Sequence, residues 1–392
     1  MPQLIYVFNS YFQGMKFVIA PDKFKGSLTG QEFCAAVEKG ILKVFPDAEI
    51  VKAPLADGGD GTIAVLEEQL PGSRREVTVW DPLMRDIKAS YLYDSTTRTA
   101  FVEMAEASGM RLLHDDDQNC YHTTSFGTGQ LIRDALDQGA KKIILGIGGS
   151  ATNDCGIGMA EALGYLFLDK DGKELIPVGK NLSEIAYIVD ENADPRIKDT
   201  TFLVACDVTN PLYGPDGAAY VYGPQKGASD EEVELLDQGL RHMARLIRSH
   251  FGYEVHHLAG AGAAGGMGAG AITFLKAELS SGVELVKQMI SFDEKVRGAD
   301  WIITGEGKLD TQTLSGKTIL GVLSSAHING SMLAALCGMI TMSDARKDLE
   351  IDYADSVMAR ATSLEDAMEN SAAYVQDMAE EFAHSLKHLE SN

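Results

Sequence analysis

The chain has 392 residues, 45% hydrophobic and 23% charged, with a formal net charge of −23. That length exceeds one ordinary hydrophobic core, so two domains are expected. So acidic a balance argues against nucleic acid or an anionic membrane surface as a partner, and no run approaches the roughly 18 apolar residues of a membrane span. Cys34, Cys120, Cys155, Cys206 and Cys337 are scattered without metal-type spacing and read as free thiols of a cytoplasmic protein.

Residues 1–14 contain no Lys or Arg, so they do not read as a signal peptide. Tyr11-Phe12-Gln13-Gly14 resembles a protease-cleavage scar, and these residues are expected to be a cloning remnant. Lys16 to Ala20 reads as a strand that ends in Asp22-Lys23-Phe24-Lys25-Gly26-Ser27. Thr29 and Glu32 then form a capping box for a helix whose buried face is Phe33, Val37, Ile41 and Val44. A second strand, Glu49 to Leu55, ends at Asp57-Gly58-Gly59-Asp60-Gly61, and another helix follows. This βαβα start predicts a parallel, doubly wound sheet.

The pattern then changes. Arg75 to Trp80, Ile87 to Tyr93 and Thr99 to Met104 leave no room for helices between them and predict an antiparallel meander. A helix over Ser125 to Gln138 leads into Lys142 to Ile147, an Ile- and Leu-rich run expected to be a buried parallel strand. That strand enters Gly148-Gly149-Ser150. Ser150, Thr152, Asn153 and Asp154 offer cap-type side chains before a helical pattern, so the turn reads as an anion site at a helix N-terminus.

Further strands are expected at Thr201 to Cys206, at Tyr253 to Leu258 and at Trp301 to Thr304. A helix is expected near Asp230 to His250. The last amphipathic helix carries Leu364, Met368, Val375, Met378, Phe382 and Leu386 as a core stripe. The fold class read from this order is α/β with two α/β domains and an active-site cleft between them. Residues 15–75 plus 285–392 would form a Rossmann-like domain, and 76–284 an inserted mixed α/β domain.

Five strands end in Gly- and Asp-rich loops, at Asp22, Asp57, Gly148, Asp207 and Gly305. Ligands in open α/β sheets sit beyond the carboxyl ends of strands, which makes these loops the candidate site. Ser315-Gly316-Lys317-Thr318 ends like a P-loop, but Thr311 stands where the pattern needs glycine. Gly260, Gly262 and Gly265 satisfy GxGxxG, which keeps an NAD(P)-dependent hydroxy-acid oxidoreductase as the alternative reading. No Ser-His-Asp set or metal-type histidine cluster stands out, and His256-His257 reads as a strand end. Backbone anion cradles, loop carboxylates and loop lysines together suit phosphoryl transfer.

Six motifs carry a family resemblance: Asp22 to Thr29 (DKFKGSLT), Ala56 to Thr62 (ADGGDGT), Gly146 to Asp154 (GIGGSATND), Cys206 to Ala219, the glycine run from Gly260, and Gly305 to Thr313 (GEGKLDTQT). Together they resemble the bacterial glycerate kinase family, the type related to glyoxylate and glucarate breakdown. Cys155 departs from the pattern, standing where a glycine is expected. The resemblance implies ATP-dependent phosphorylation of D-glycerate with Mg²⁺, with 2-phosphoglycerate favoured over 3-phosphoglycerate. Either a monomer or a homodimer is compatible with it.

The roles that follow are expectations. Asp207 is the first choice for general base or Mg²⁺ ligand, with Asp57 and Asp60 as catalytic candidates and Asp310 as a second metal ligand. Lys23, Lys25, Ser27, Gly148, Gly149, Ser150, Thr152, Asn153, Asn210 and Lys308 are candidates for substrate or phosphate. Gly260, Gly262, Gly265, Gly266, Gly305 and Glu306 are candidates for the nucleotide.

Overall fold

The computed structural model describes residues 14–22, 24, 26–310, 317–341 and 349–389. They divide into two compact units, one made of the described residues up to Asp57 and from Val286 onward, the other of Gly58–Leu285.

The first unit holds a five-stranded, all-parallel sheet. Its strands are β1 (Lys16–Ile19), β2 (Glu49–Lys52), β11 (Trp301–Thr304), β13 (Met332–Cys337) and β15 (Tyr353–Ser356), in the spatial order β15-β13-β11-β1-β2, and β12 (Lys308–Leu309) and β14 (Met339–Ile340) form a separate parallel pair. Counted along the chain this is the doubly wound order 2-1-3-4-5, which reverses between β1 and β11. Such a reversal leaves a crevice at the carboxyl ends of the two strands.

Helix α1 (Gly30–Val44) starts at the expected capping box: Thr29 Oγ1 accepts from the Glu32 N–H at 3.2 Å, and the Thr29 N–H donates to Glu32 Oε2 at 2.8 Å. Its apolar face, Phe33, Val37, Ile41 and Val44, is buried as its spacing predicts. The C-terminal stripe is split. Val375, Met378, Phe382 and Leu386 are buried on the last helix (Ser371–Leu389), whereas Leu364 and Met368 sit on a separate short helix (Leu364–Glu369) and are exposed. Asn370 closes that short helix, so the heptad-like spacing does not run through as one element.

The second unit holds a six-stranded mixed sheet. It comprises β3 (Ser73–Trp80), β4 (Asp86–Asp94), β5 (Thr99–Glu103), β6 (Lys142–Gly146), β9 (Thr201–Ala205) and β10 (Glu278–Ser280), in the order β10-β9-β6-β5-β4-β3, and β7 (Leu166–Leu168) and β8 (Tyr187–Val189) form a separate antiparallel pair. The meander is present in β3, β4 and β5, and β5 then pairs parallel to β6. Glu103 and Gly146 are in register, as are Gly146 and Ala205, and Ala205 and Ser280. Four parallel strands therefore end level with one another. Tyr253 to Leu258 is not a strand, so the glycine run after it has no strand feeding it.

In the first unit Phe382 is fully buried and packs at 4.8 Å between ring centroids against both Trp301 and Tyr353. Phe382→Ala should cost about 3–5 kcal/mol, the usual range for truncating a buried aromatic. The check is a lower urea midpoint at unchanged m-value.

Candidate functional site

In the second unit the level strand ends are covered by a glycine loop. A Cβ on Gly146 would lie 2.2 Å from the Gly58 carbonyl oxygen, and one on Gly58 would lie 2.5 Å from Ala205 Cβ. Only glycine at these positions lets the Gly58–Gly61 backbone rest on the sheet edge. The loop is anchored by the buried Glu103 at the end of β5, which accepts from the Gly61 N–H at 3.0 Å and the Ile63 N–H at 2.5 Å. Burial pushes the Glu103 carboxyl up, against the pull of those two N–H groups.

The loop brings several predicted residues together. A Cβ built on Gly148 would lie 2.8 Å from Gly59 Cα, and one on Gly149 would lie 3.6 Å from Asp60 Cβ. Asp60 is exposed and faces Arg111 at 3.3 Å, which also pairs with Glu106. Asp207, just past β9, is half-buried, and its Oδ1 accepts at 3.1 Å from the N–H of Gly282, the first residue of the helix Gly282–Met289. Asn210 is used within its own loop: its Nδ2 donates to the Asp216 carbonyl at 2.8 Å, and its Oδ1 accepts from Tyr222 at 2.7 Å.

The Gly148-Gly149-Ser150 turn differs from the sequence expectation in one respect. The next helix runs over Ile157–Ala162, with Gly156 as its N-cap, so Ser150 is not at a helix N-terminus. The anion at that helix start is Asp154, whose carboxylate accepts from the Gly156 and Gly158 N–H groups at 3.1 and 3.3 Å and from the Ser125 hydroxyl at 2.7 Å. Ser150 instead forms an isolated bridge with Gly109, and its neighbours are pinned by Met110 N–H to Gly149 O and Ala151 N–H to Ser108 O, both at 2.9 Å. Cap-type side chains mark an end, but which of four consecutive candidates does the capping depends on where the helix is packed.

The residues that follow are buried and incompletely satisfied. Among the described residues, the buried side-chain polar atoms without a hydrogen-bond partner are Thr152 Oγ1, Asn153 Nδ2 and Oδ1, and Thr273 Oγ1. Three of these four lie on this one loop. Desolvated groups left unpaired cost free energy, so a concentration of them next to an open turn fits a place where polar ligand atoms are received.

Gly260, Gly262, Gly265 and Gly266 are all buried, Gly262 and Gly265 directly against backbone. A Cβ on Gly265 would lie 2.0 Å from Thr152 O, and one on Gly262 would lie 2.1 Å from Pro211 O. Cys155 N–H bonds Gly265 O at 3.0 Å, and Cys155 itself holds a φ of +55°. The glycine expected there would adopt this conformation without strain. Glu278 opens β10 rather than closing it, so no acid stands where a dinucleotide ribose would need one. The GxGxxG match therefore lacks both its strand and its acid.

In the first unit the reversal point between β1 and β11 is bridged by Asp22 N–H to Gly305 O at 2.8 Å. Glu306, Lys308 and Asp310 follow, with Lys308 Nζ 2.9 Å from Asp310 Oδ2. Asp57, the last residue of this unit's first segment, is exposed. A cavity of about 150 Å³ opens beside this loop, lined by Phe24, Ser27, Gly307, Lys308, Met339, Met358, Leu364 and Met368 among others. The exposed Leu364 and Met368 thus line a pocket. Lys23 and Lys25 lie outside the described residues, as do residues 1–13 of the expected remnant.

Sequence reasoning missed three charged side chains that organise the second unit: Glu103, Arg111 and the buried Lys226. Lys226 sits in Gly223-Pro224-Gln225-Lys226-Gly227 and donates from Nζ to Ser150 Oγ at 2.6 Å and to Thr152 O at 2.8 Å. Its only sequence signal is a lysine enclosed by turn residues. Glu254, His256 and His257 also come together, with one potential ligand atom from each within 4.8 Å of the others. Glu254 pairs with Arg248 at 2.7 Å and His256 stacks on Tyr213.

This is an α/β enzyme of two units whose strand-end loops carry carboxylates and backbone N–H groups. The sequence model of the Glycerate kinase family matches residues 17–387. A glycerate kinase of Halalkalibacterium halodurans is 45% identical over 93% of this chain and 97% of its own length. A glycerate 2-kinase of Escherichia coli is 44% identical over 83% of this chain and 86% of its own. A solved structure from Salmonella typhimurium LT2, provisionally named glycerate kinase 2, matches with a TM-score of 0.87 at 40% identity, covering 97% of this chain and all of that one. The chain belongs to the glycerate kinase family. The oxidoreductase alternative is not favoured. Among the described residues no helix is long and apolar enough to cross a membrane.

Gly146→Ala should displace the Gly58–Gly61 loop, because the new methyl meets a carbonyl at 2.2 Å. The expected outcome is a loss of about 2 kcal/mol or more of stability, within the range for overpacking a tight contact. Kinase activity should fall with it, and a wild-type melting temperature would contradict the packing argument.

Proposed function

We propose that the chain transfers the γ-phosphoryl group of ATP to D-glycerate, releasing ADP and forming phosphoglycerate, with the product 2-phosphoglycerate. One observation carries the site assignment: Asp60, the Gly148–Ser150 turn and Asp207 stand together on one level row of strand ends. We assign the acceptor to this row. Ser150, Thr152, Asn153 and the Gly148-Gly149 backbone take its anionic end. The hydroxyl oxygen attacks phosphorus, the bond from phosphorus to the ADP oxygen breaks, and the hydroxyl proton passes to the Asp207 carboxylate and on to solvent.

We assign the nucleotide to the Gly305-Glu306 loop, since it lies at the sheet reversal of the first unit. The Met- and Leu-lined cavity beside Lys308 has the apolar character a purine ring requires. The buried glycine run at Gly260 to Gly266 is the weaker nucleotide candidate, because it lacks the strand and the acid of a dinucleotide turn.

Mg²⁺ binds oxygen donors, and carboxylates at strand ends are of that kind. The half-buried Asp207 fits this requirement; Asp310 fits less well, being paired with Lys308 at 2.9 Å. When bound, the ion neutralises charge on the phosphate oxygens. We place the reaction in the cytoplasm, on the strength of five free cysteines.

Incubation with D-glycerate and MgATP should yield ADP and a phosphomonoester whose phosphorus NMR coupling marks carbon 2 as the substituted position. Coupling to two protons would assign the ester to carbon 3 instead, and no phosphoester at all would overturn the proposal. Asp207→Asn should lower kcat by about 100-fold or more, the usual scale for a general base. Near-normal turnover in that variant would remove Asp207 from the chemistry.

A further inference from the structure

Lys226 is buried, 5% exposed, in a short turn after Gly223, and it makes no ion pair among the described residues. Its ammonium group donates to Ser150 Oγ and to Thr152 O. An ammonium has three N–H donors and no lone pair, so the serine oxygen must accept and the serine hydrogen must point elsewhere. Among the described residues no acceptor takes that hydrogen. The backbone around Ser150 is fixed by the bridge to Gly109, which leaves the hydroxyl rotor as the freedom that Lys226 removes.

We propose that Lys226 is a positioning residue of the acceptor site, which orients the Ser150 hydroxyl as a donor to an incoming oxyanion and places a positive charge behind it. This rests on the reading of the Gly148–Ser150 turn as an anion site. The oxyanion is either the carboxylate of the small acid or a phosphate of the nucleotide, and the two are separated by which KM responds. In a low-dielectric surrounding a charge one hydrogen bond removed from the ligand is little screened, so it strengthens the donor it polarises.

The arrangement has a pH dependence. Burial brings the Lys226 amine down to about 8. The groups that face it are Cys120, whose thiol burial pushes up to about 11, and Asp154, whose carboxylate is occupied by Ser125, Gly156 and Gly158. Below about pH 8 the protonated amine can only donate, and the serine hydroxyl is left to bind the anion. Above it the neutral amine gains a lone pair, accepts the serine hydrogen and withdraws the donor. Binding therefore weakens as pH rises through the lysine's folded value.

The test uses the full chain in steady-state assays, with KM measured separately for D-glycerate and for ATP. In the wild type, one of the two KM values should rise as pH goes from 7 to 9.5, with its midpoint near 8, while the other stays level. Lys226→Met should raise that same KM about tenfold or more, the scale of a hydrogen bond to a charged group, with kcat little changed and the pH dependence lost. Ser150→Ala should raise it similarly, and the double variant should be no worse than either single one, because the two residues act as one device. If Ser150→Ala raises KM and Lys226→Met does not, the role of Lys226 is overturned while the anion site stands. If neither variant moves either KM, the anion site itself is wrong and the proposal falls with it. Should Lys226→Met not fold, the wild-type profile still decides: level KM values across pH 7 to 9.5 overturn the proposal.

Discussion

The second unit depends on backbone lying directly against backbone. Gly146 meets the Gly58 carbonyl, and Gly265 meets the Thr152 carbonyl, at separations that leave no room for a single methyl group. Glycine in such quantity raises the entropy lost on folding, and that cost is offset only if the close contacts position something. Here they hold three segments, around residues 58–61, 146–156 and 260–270, in one block at the carboxyl ends of the parallel strands. A composition with 40 glycines is thus a packing requirement more than a sign of flexibility.

Within that block the buried charges follow different rules. Asp154 and Glu103 are carboxylates whose burial is compensated by backbone and hydroxyl donors, and each ties down the start of a helix. Such groups are structural because their hydrogen-bonding capacity is consumed inside the fold. Lys226 is different, since its partners are neutral oxygens and its charge has no counter-ion in contact. A buried charge so placed costs stability, which makes the loop it touches a natural place to expect an anion from outside.

The two units use their strand ends differently. In the first, the sheet order reverses at β1 and β11, and the loops there border an apolar cavity. In the second, no reversal is needed, because four parallel strands stop at the same level and a glycine loop caps them. Loop carboxylates stand at both, and the methionine-lined cavity is at the first.

Local signals settled most elements. The Thr29–Glu32 capping box, each strand of the meander β3 to β5 and the apolar run of β6 are written in short local patterns, and each is present. The six motifs likewise place the chain in its family, and the match over residues 17–387 agrees. Tyr253 to Leu258 looked like a strand because its alternation is short-ranged, but no neighbouring strand is there to pair with it. The same holds for Gly260, Gly262 and Gly265, whose spacing fits a dinucleotide turn while their surroundings do not. What the tertiary structure alone decided is which backbone each glycine approaches, which acid caps which helix, and that Lys226 reaches Ser150 across 76 positions of sequence. Those outcomes depend on contacts between residues far apart in the chain, and no local pattern of side chains encodes a partner that distant.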